Sequence, residues 1–254
     1  MEEVLKSDYQ KHKAKMAAEA DSMDRRLQKI EERKEECIFT IEHWKAIFKG
    51  KYKSSWRGLP LMKTPFEIIT YQQMIWDLKP QTILEFGSNC GGSAIWMADI
   101  AKMGEGKCHV YSMDINQGLL EPLAKEKRDD ITFIEGDCNK VEKVFPPELL
   151  KGLPHPWIVS EDAHVNVEAI LEYLHQFMEP GDYVIVEDTN PFTPSTDDDG
   201  GFDFINLKGW GRWKLEVVID FIRKHPDQYR IDSGYNDFFG YNVSNNMNSY
   251  IRRI

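Results

Sequence analysis

A short stretch with a glycine-containing turn, residues 82–93, most constrains what this chain can fold into. Its sequence, TILEFGSNCGGS, runs from a β-branched and apolar segment through Glu85 and Gly87 into a small-residue turn. An amphipathic segment, 94–103, follows. This pattern predicts a strand, a tight turn and a helix. The glycines let the backbone approach a ligand, and the N–H groups at the start of the helix offer hydrogen-bond donors.

The spacing of this turn differs from that of the common dinucleotide sites. It is Glu-x-Gly-x-x-x-Gly, whereas dinucleotide sites have Gly-x-Gly-x-x-Gly. Because an acid precedes the turn and no lysine lies within it, a nucleoside with a cationic or carboxylate-bearing group fits better than a pyrophosphate. The alternative is an ordinary strand-to-helix turn that binds no ligand.

Two further predicted strands also end in acids. Residues 108–113 lead into Asp114, and residues 131–135 lead into Asp137 and Cys138. Ligands bind at the carboxyl ends of parallel strands, and an acid after the second strand can accept hydrogen bonds from both ribose hydroxyls. Any one of these acids could instead cap a helix or form a turn. Acids at the ends of three successive strands favour a nucleoside site.

This order of motifs resembles that of class I S-adenosylmethionine-dependent methyltransferases. The resemblance implies a Rossmann-like α/β fold with a mostly parallel seven-stranded sheet, helices on both faces and an antiparallel C-terminal strand. It also implies that S-adenosylmethionine is the cofactor. The residues that it would place around the methionine part are Glu85, Gly87, Ser88 and Ser93, with Asp114 at the ribose and Asp137 and Cys138 at the adenine.

The composition restricts the partners of the chain. The 254 residues are 41% hydrophobic, enough for one substantial domain, and the formal net charge is −10. An acidic protein is a poor partner for nucleic acid or an anionic membrane, so we expect a small-molecule substrate. No apolar run is long enough to span a membrane and the N-terminus is charged, so we expect a cytoplasmic protein. Four cysteines without Cys-x-x-Cys spacing predict free thiols.

The N-terminal segment is predicted to be helical. Residues 1–36 alternate acids and bases, with a thin apolar seam at every seventh position through Tyr9, Met16, Met23 and Ile30. The seam could pack on the domain, cover the active site or join subunits in a homo-oligomer, and a solvated helix is the alternative. Residues 38–48 are more apolar, with Ile38, Ile41, Trp44, Ile47 and Phe48 on one helical face. We therefore expect an N-terminal helical extension over 1–49 and a methyltransferase domain over 50–254.

An irregular segment precedes the glycine-containing turn. The sequence predicts an extended loop that enters a helix near Pro65. The residues of this segment are Trp56-x-Gly58-x-Pro60, followed by Pro65 and by Tyr71-Gln72. Together with the Glu-x-Gly turn, these residues resemble the cephalosporin hydroxylase family. That family is similar in fold to class I methyltransferases and includes rhamnosyl O-methyltransferase-like members. The residues near the C-terminus, 246–253, also resemble the family.

Acids also follow the fourth and fifth predicted strands. Residues 156–160 lead into Glu161 and Asp162, and residues 182–186 lead into Glu187 and Asp188. Adjacent parallel strands would bring these clusters together, and carboxylate oxygens suit Mg²⁺, Mn²⁺ or Ca²⁺. We predict that Asp162, Glu187 and Asp188 hold a divalent cation, and that this cation is Mg²⁺. The alternative is that these acids cap helices. The resemblance to the family supports Glu187 and Asp188, and leaves Glu161 as a possible substitute for Asp162.

Two residues are candidate catalytic bases. His164 follows the acids of the fourth strand and could be a base, a metal ligand or a residue bonded to the backbone at a helix start. Lys63 is a candidate from its loop position, with a solvated lysine as the alternative. A loop over 191–211 could be a lid whose aromatic residues line the acceptor or pack on the domain. Those residues are Phe202, Phe204, Trp210 and Trp213.

These features together predict a metal-assisted methyl transfer from S-adenosylmethionine to a hydroxyl of a small molecule. A metal-dependent hydroxylase on the same fold is an alternative. It would need two histidines and one carboxylate around iron, and His155 lies on the wrong side of the sheet to join His164. A non-catalytic binding or assembly protein is the third possibility. The presence of both Glu85 and Asp114 speaks against it.

Overall fold

The structure, a computed structural model, describes residues 23–104, 106–192, 195–196, 202–203 and 210–254, with positions 7, 10–11 and 13–14 of the N-terminal segment. The predicted seam through Tyr9 and Met16 lies outside the described residues. So do Phe204 and the side chains of Phe202 and Trp210, which were predicted to line the acceptor.

Within the described part of the chain, the centre of the fold is an eight-stranded sheet. Its strands β1 to β8, in chain order, are Leu27–Gln28, Thr82–Phe86, His109–Asp114, Ile131–Glu135, Trp157–Glu161, Tyr183–Val186, Tyr229–Asp232 and Tyr250–Arg253. Their order across the sheet is β1-β7-β8-β6-β5-β2-β3-β4. Strands β2 to β6 are parallel, and β8 runs antiparallel between β6 and β7. The predicted mostly parallel sheet with an antiparallel C-terminal strand is confirmed.

The predicted count of seven strands is wrong by one. Leu27–Gln28 adds an eighth strand at the edge, where it pairs antiparallel with β7. Two residues are too few to show a periodic pattern in the sequence. Residues 239–243 have the apolar and aromatic composition of a strand, but their backbone forms a turn, with φ +127° at Gly240 and φ +53° at Asn242.

Five longer helices surround the sheet in the described residues. They are α1 to α5, Ile41–Lys51, Pro65–Leu78, Gly92–Met103, Val167–His175 and Trp210–Lys224. Shorter helical turns are Met23–Arg26, Ile30–Glu32, Gln117–Leu119, Pro122–Lys125, Cys138–Lys140, Val141–Val144, Pro147–Leu150 and Ser233–Asn236. Two small ribbons pair Ser55–Trp56 with Leu59–Pro60, and Ser195–Thr196 with Phe202–Asp203. No helix among the described residues has the length and apolar character that crossing a bilayer requires.

The two faces of the sheet carry separate apolar cores. Along β2, Leu84 and Phe86 belong to one core while Ile83 belongs to the other, because successive side chains of a strand point to opposite faces. Helices α4 and α5 cover the first face, and α2 and α3 cover the second. The predicted placement of helices on both faces is confirmed. The carboxyl ends of β2 to β6 therefore lie along one edge between two helical layers.

The segment before α2 is attached to the C-terminal part of the chain. Arg33 donates to Asn248 at 2.9 Å and to Asn242 at 3.0 Å, and pairs with Asp237. Helix α1 buries Trp44 and Phe48. The sequence also predicted Ile38 and Ile41 on the apolar face. That part of the prediction is wrong, because their side chains are 60% and 45% exposed.

Candidate active site

The turn after β2 is held against its two neighbouring strands. Gly87 has a φ of +100°, and a Cβ there would lie 2.9 Å from the backbone carbon of Asp162, so only glycine allows this approach. On the other side, Asn89 N–H donates to Asp114 Oδ2 at 2.8 Å. The structure thus brings together the turn after β2, the acid after β3 and the acid after β5.

Glu85 is a buried acid with an unusual ionisation. Ser112 Oγ donates a hydrogen bond to its carboxylate. Burial raises the pKa of Glu85 to about 7, against the opposing effects of the Ser112 and Ser93 hydroxyls and the charge of Lys63. Ser88 belongs to the same group, with its Oγ 2.7 Å from Ser112 Oγ. A positive charge on a ligand beside this carboxyl would favour its ionised form.

Asp114 keeps acceptor capacity for a ligand. Its carboxylate accepts the N–H groups of Asn89 and, at 3.2 Å, of Asn116. Because two carboxylate oxygens offer about four lone-pair sites, donors such as ribose hydroxyls can still be accommodated. This residue fits the role that the sequence suggests for it.

Asp137 and Cys138 are engaged locally at the end of β4. Asp137 caps a short helical turn by accepting Asn139 N–H at 2.9 Å, and this bond lowers the pKa of its carboxyl. Cys138 is buried, and burial raises the pKa of its thiol to about 12. Asp137 therefore caps a helical turn, which the sequence had left as an alternative. The thiol of Cys138 stays protonated and can form an apolar wall.

Glu187 points into the interior, where it meets Lys63. The Nζ atom of Lys63 lies 2.6 Å from Glu187 Oε1 and 3.5 Å from Asp162 Oδ2. Tyr71 OH and Ser160 Oγ also donate to Glu187 Oε1, each at 2.8 Å. Lys63 is only 3% exposed, so it is not the solvated lysine that the sequence allowed.

The carboxylate of Asp188 has different partners from that of Glu187. Its backbone adopts a φ of +60°, and its carboxylate accepts from Lys51 Nζ at 3.0 Å and from Asn245 Nδ2. His164 Nε2 lies 3.2 Å from Asp188 Oδ2. Burial opposes ionisation, but Lys51 and His164 hold the pKa of Asp188 well below its usual range.

The structure brings three of the predicted residues into one cluster. One potential ligand atom from each of Asp162, His164 and Asp188 lies within 4.8 Å of the others. Burial, followed by the charge of Glu187, raises the pKa of Asp162 to about 6 although Lys63 opposes the shift. Mg²⁺ binds hard, negatively charged oxygen atoms. The carboxylates of Asp162 and Asp188 supply such atoms, so these residues fit the predicted cation.

The side chain of Glu161 lies on the opposite face of β5 and pairs with a lysine. Its Oε2 lies 2.9 Å from Lys214 Nζ, and both side chains are fully buried. Ser160, one residue earlier, faces Glu187 instead, as the alternation of a strand requires. The structure therefore brings Asp162, and not Glu161, to Asp188.

Three residues of this region were not identified from the sequence as site residues. Lys51 and Lys214 come from helices α1 and α5, far from the acids in sequence, and no local pattern indicates their roles. Tyr71 was noticed only as part of a family motif. A groove of about 360 Å³ between α2 and α3, lined by Trp76 and Met103 among others, contains none of the predicted site residues. The site is defined by its chemistry and not by that groove.

A profile of the family described as rhamnosyl O-methyltransferase/CmcI matches residues 49–254. The chain belongs to this family. Membership confirms the resemblance that the sequence motifs indicated. The matched range includes Lys63, Glu85 and Asp114, together with the acids after β5 and β6, and it begins after the edge strand β1.

The relatives and solved structures that match are moderately distant. The rhamnosyl O-methyltransferase of Mycobacterium leprae (strain TN) is 25% identical over 206 residues, covering 76% of this chain and 81% of that protein. That of Mycobacterium tuberculosis (strain ATCC 25618 / H37Rv) is 24% identical over 208 residues, covering 76% of each. An apo structure of CmcI is similar with a TM-score of 0.64, 28% identity and coverage of 80% and 77%. A structure of CmcI with Mg-SAM gives a TM-score of 0.62 at the same identity and coverage.

Proposed function

We propose that this protein is an S-adenosylmethionine-dependent, Mg²⁺-assisted O-methyltransferase that acts on a hydroxyl of a small molecule. The observation that carries the proposal is the contact between two sites. Gly87 packs directly on the backbone of Asp162, so the turn of the predicted cofactor site adjoins the acid cluster. Methyl transfer needs nucleophile, methyl carbon and sulfur in line, so two adjoining sites supply most of the catalysis by positioning. Relatives named rhamnosyl O-methyltransferases and the Mg-SAM structure of CmcI support the assignment.

The cofactor would lie along the carboxyl ends of β2 to β4. Asp114 would accept hydrogen bonds from the ribose, and Glu85, Gly87, Ser88 and Ser93 would surround the methionine part. The adenine would lie beside Asp137 and Cys138. Glu85 supports this orientation, because a cationic sulfonium and ammonium would favour its ionised form.

The cation would be held by Asp162 and Asp188, beside His164. Glu187, which the sequence predicted as a third ligand, binds Lys63 instead. When bound, Mg²⁺ would lower the pKa of the acceptor hydroxyl, whose proton would leave to solvent water. The oxygen would then attack the methyl carbon as the methyl–sulfur bond breaks, which would give S-adenosylhomocysteine. The acids raise the pKa of Lys63 despite its burial, so we propose that Lys63 stabilises developing negative charge and does not remove the proton. His164 is engaged with Asp188, so we assign it a supporting role in the cluster.

The remaining proposals concern the whole protein. We propose a cytoplasmic enzyme that forms a homo-oligomer through the N-terminal extension 1–49, with the catalytic domain over 50–254. The seven-residue apolar repeat supports the oligomer, and the family match over residues 49–254 supports the bounds of the catalytic domain. The oxygenase alternative is not favoured by the described cluster, which offers one histidine and two carboxylates instead of two histidines and one carboxylate.

Calorimetric titration of the chelator-treated protein with S-adenosylhomocysteine tests this function. We expect micromolar binding that weakens roughly 10–100-fold in Asp114→Ala, since hydrogen bonds to a charged group are lost. The exposed Asp129→Ala is the matched control and should bind like the wild type. Absence of binding by the folded wild-type protein would overturn the proposal.

A further inference from the structure

Lys214 on helix α5 has a fully buried side chain at the end of β5. Its Nζ lies 2.9 Å from Oε2 of Glu161, which is also fully buried, and 3.4 Å from the Glu161 carbonyl oxygen. Removing two charges from water is costly, and an apolar pair of similar volume often serves stability as well. Stability alone therefore does not explain why Lys214 and Glu161 are charged, and their place beside the acid cluster points to a further role.

The ammonium of Lys214 also reaches His164. Its Nζ lies 3.0 Å from His164 Nδ1. Because an ammonium group only donates hydrogen bonds, Nδ1 must be the acceptor. The hydrogen of the neutral ring is then on Nε2, which lies 3.2 Å from Asp188 Oδ2 and donates to it. The contacts form a directional chain from Glu161 through Lys214 and His164 to Asp188.

Glu161 also fixes the backbone that carries His164. Its Oε1 accepts the N–H groups of Ala163 at 3.0 Å and of His164 at 3.2 Å. His164 has a φ of +58°, a left-handed conformation that residues with a side chain rarely adopt. One buried carboxylate thus holds both the backbone of His164 and the lysine that contacts its ring.

We propose that Lys214 is a positioning residue, which sets the His164 ring so that Nε2–H orients the Asp188 carboxylate toward the cation. The inference rests on the proposed cation site at Asp162 and Asp188. It assigns His164 to orienting a ligand, and not to ligation, because the lone pair of Nδ1 is engaged by Lys214. Outer partners that orient a metal ligand typically change metal affinity 10–100-fold when removed.

The first test is made on the metal-free wild-type protein. Nitrogen-15 NMR distinguishes the two neutral tautomers of a histidine, and His164→Asn assigns the signal. We expect the His164 ring to carry its hydrogen on Nε2. A ring that carries its hydrogen on Nδ1 would overturn the proposal.

The second test measures Mn²⁺ affinity by electron paramagnetic resonance in charge-matched variants. Lys214→Met alone leaves Glu161 buried without a counter-charge, so it can fail to fold. The double variant Glu161→Gln with Lys214→Met removes both charges and keeps an acceptor for the N–H groups of the loop. We expect it to fold and to bind Mn²⁺ 10–100-fold more weakly than the wild type. Lys224→Met is the control on the same helix, because Lys224 forms an exposed pair with Glu168.

The outcomes separate this inference from the proposed function. Wild-type affinity in the folded double variant would show that the pair is only structural and would overturn the role of Lys214. Absence of Mn²⁺ binding by the wild type, with S-adenosylhomocysteine still bound, would overturn the cation site and the positioning role together. Absence of both ligands would overturn the proposed function itself.

Discussion

Lys63 Nζ lies 2.6 Å from Glu187 Oε1, and the two side chains are 3% and 5% exposed. The same ammonium is 3.5 Å from Asp162, so one cation bridges the acids that follow β5 and β6. Burial disfavours the charged ammonium, but the charges of Glu187 and Asp162 raise the pKa of Lys63 above its usual value. The irregular segment before α2 is thereby joined to the acid cluster by a buried ion pair.

We predict that Lys63→Met strongly destabilises the protein. The substitution leaves Glu187 buried without its counter-charge, and breaking a buried pair in this way costs about 3–5 kcal/mol. Urea unfolding measures the loss. The double variant Lys63→Met with Glu187→Gln removes both charges and should recover most of the stability. A single variant that is as stable as the double variant would refute the pairing.

Gly92→Ala is predicted to be destabilising although it lies within a helix. Alanine normally stabilises a helix interior relative to glycine by roughly 0.5–1 kcal/mol. A Cβ at Gly92 would lie 2.0 Å from the carbonyl oxygen of Pro60, so either α3 or the segment that contains Pro60 must move. We expect a net loss of about 1–3 kcal/mol from this overpacking.

Gly50→Ala in α1 is the matched control for that prediction. Apart from the backbone of its own helix, no atom of the described residues lies within 4 Å of a Cβ built at Gly50. The ordinary helix propensity should therefore apply, and the variant should be slightly more stable. Urea unfolding of both variants gives the comparison. Equal effects at the two glycines would contradict the close approach of α3 to Pro60.

Glu85 should make stability depend on pH in a specific direction. Burial raises the pKa of its carboxyl from 4.5 to about 7, so the folded protein binds this proton more tightly than the unfolded chain. The free energy of unfolding therefore falls as pH rises from 4.5 to 7, and the full penalty, up to about 3 kcal/mol, is present above pH 7.

Glu85→Gln isolates that contribution. The amide is uncharged at every pH, so the variant should gain stability relative to the wild type as pH rises through this window. Unfolding free energies of both proteins between pH 4.5 and pH 8 measure the difference. A difference that stays constant with pH would contradict the raised pKa of Glu85.

Arg33 should be as important to stability as a core residue. Its side chain is 1% exposed and pairs with Asp237, which is 20% exposed. Arg33→Met removes the counter-charge of Asp237 and one donor to each of Asn242 and Asn248, and we expect a loss of about 3–5 kcal/mol by thermal or urea unfolding. Arg57→Met is the control, because its pair with Asp99 is half-exposed and should contribute less than about 1 kcal/mol. A loss below about 1 kcal/mol for Arg33→Met would contradict the importance of this buried pair.

The sequence predicted those features that depend on neighbouring residues. Apolar runs located β2 to β6, and the order of acids placed Glu85, Asp114, Asp162 and Asp188 at strand ends. The edge strand β1 was not predicted, because a strand of two residues shows no periodic pattern and its partner β7 is about 200 residues away in the sequence. Residues 239–243 have the composition of a strand, but the positive φ values at Gly240 and Asn242 give them a turn.

The partners of the acids could not be predicted from the sequence. Lys63 and Glu187 are 124 positions apart, and Lys214 reaches His164 across 50 positions. Such pairs depend on how the helices pack on the sheet and leave no local pattern. The direction in which Glu187 points, inward to Lys63 and Tyr71, likewise follows from the fold and not from its neighbours in sequence.

A crystal structure of the protein with S-adenosylhomocysteine and Mn²⁺, with anomalous scattering to locate the metal, tests the proposed chemistry most directly. We predict density for the ligand along the carboxyl ends of β2 to β4, with its ribose on Asp114. We also predict one Mn²⁺ peak coordinated by the carboxylates of Asp162 and Asp188. Ligand bound elsewhere, or a metal peak away from these two acids, would contradict the proposed site.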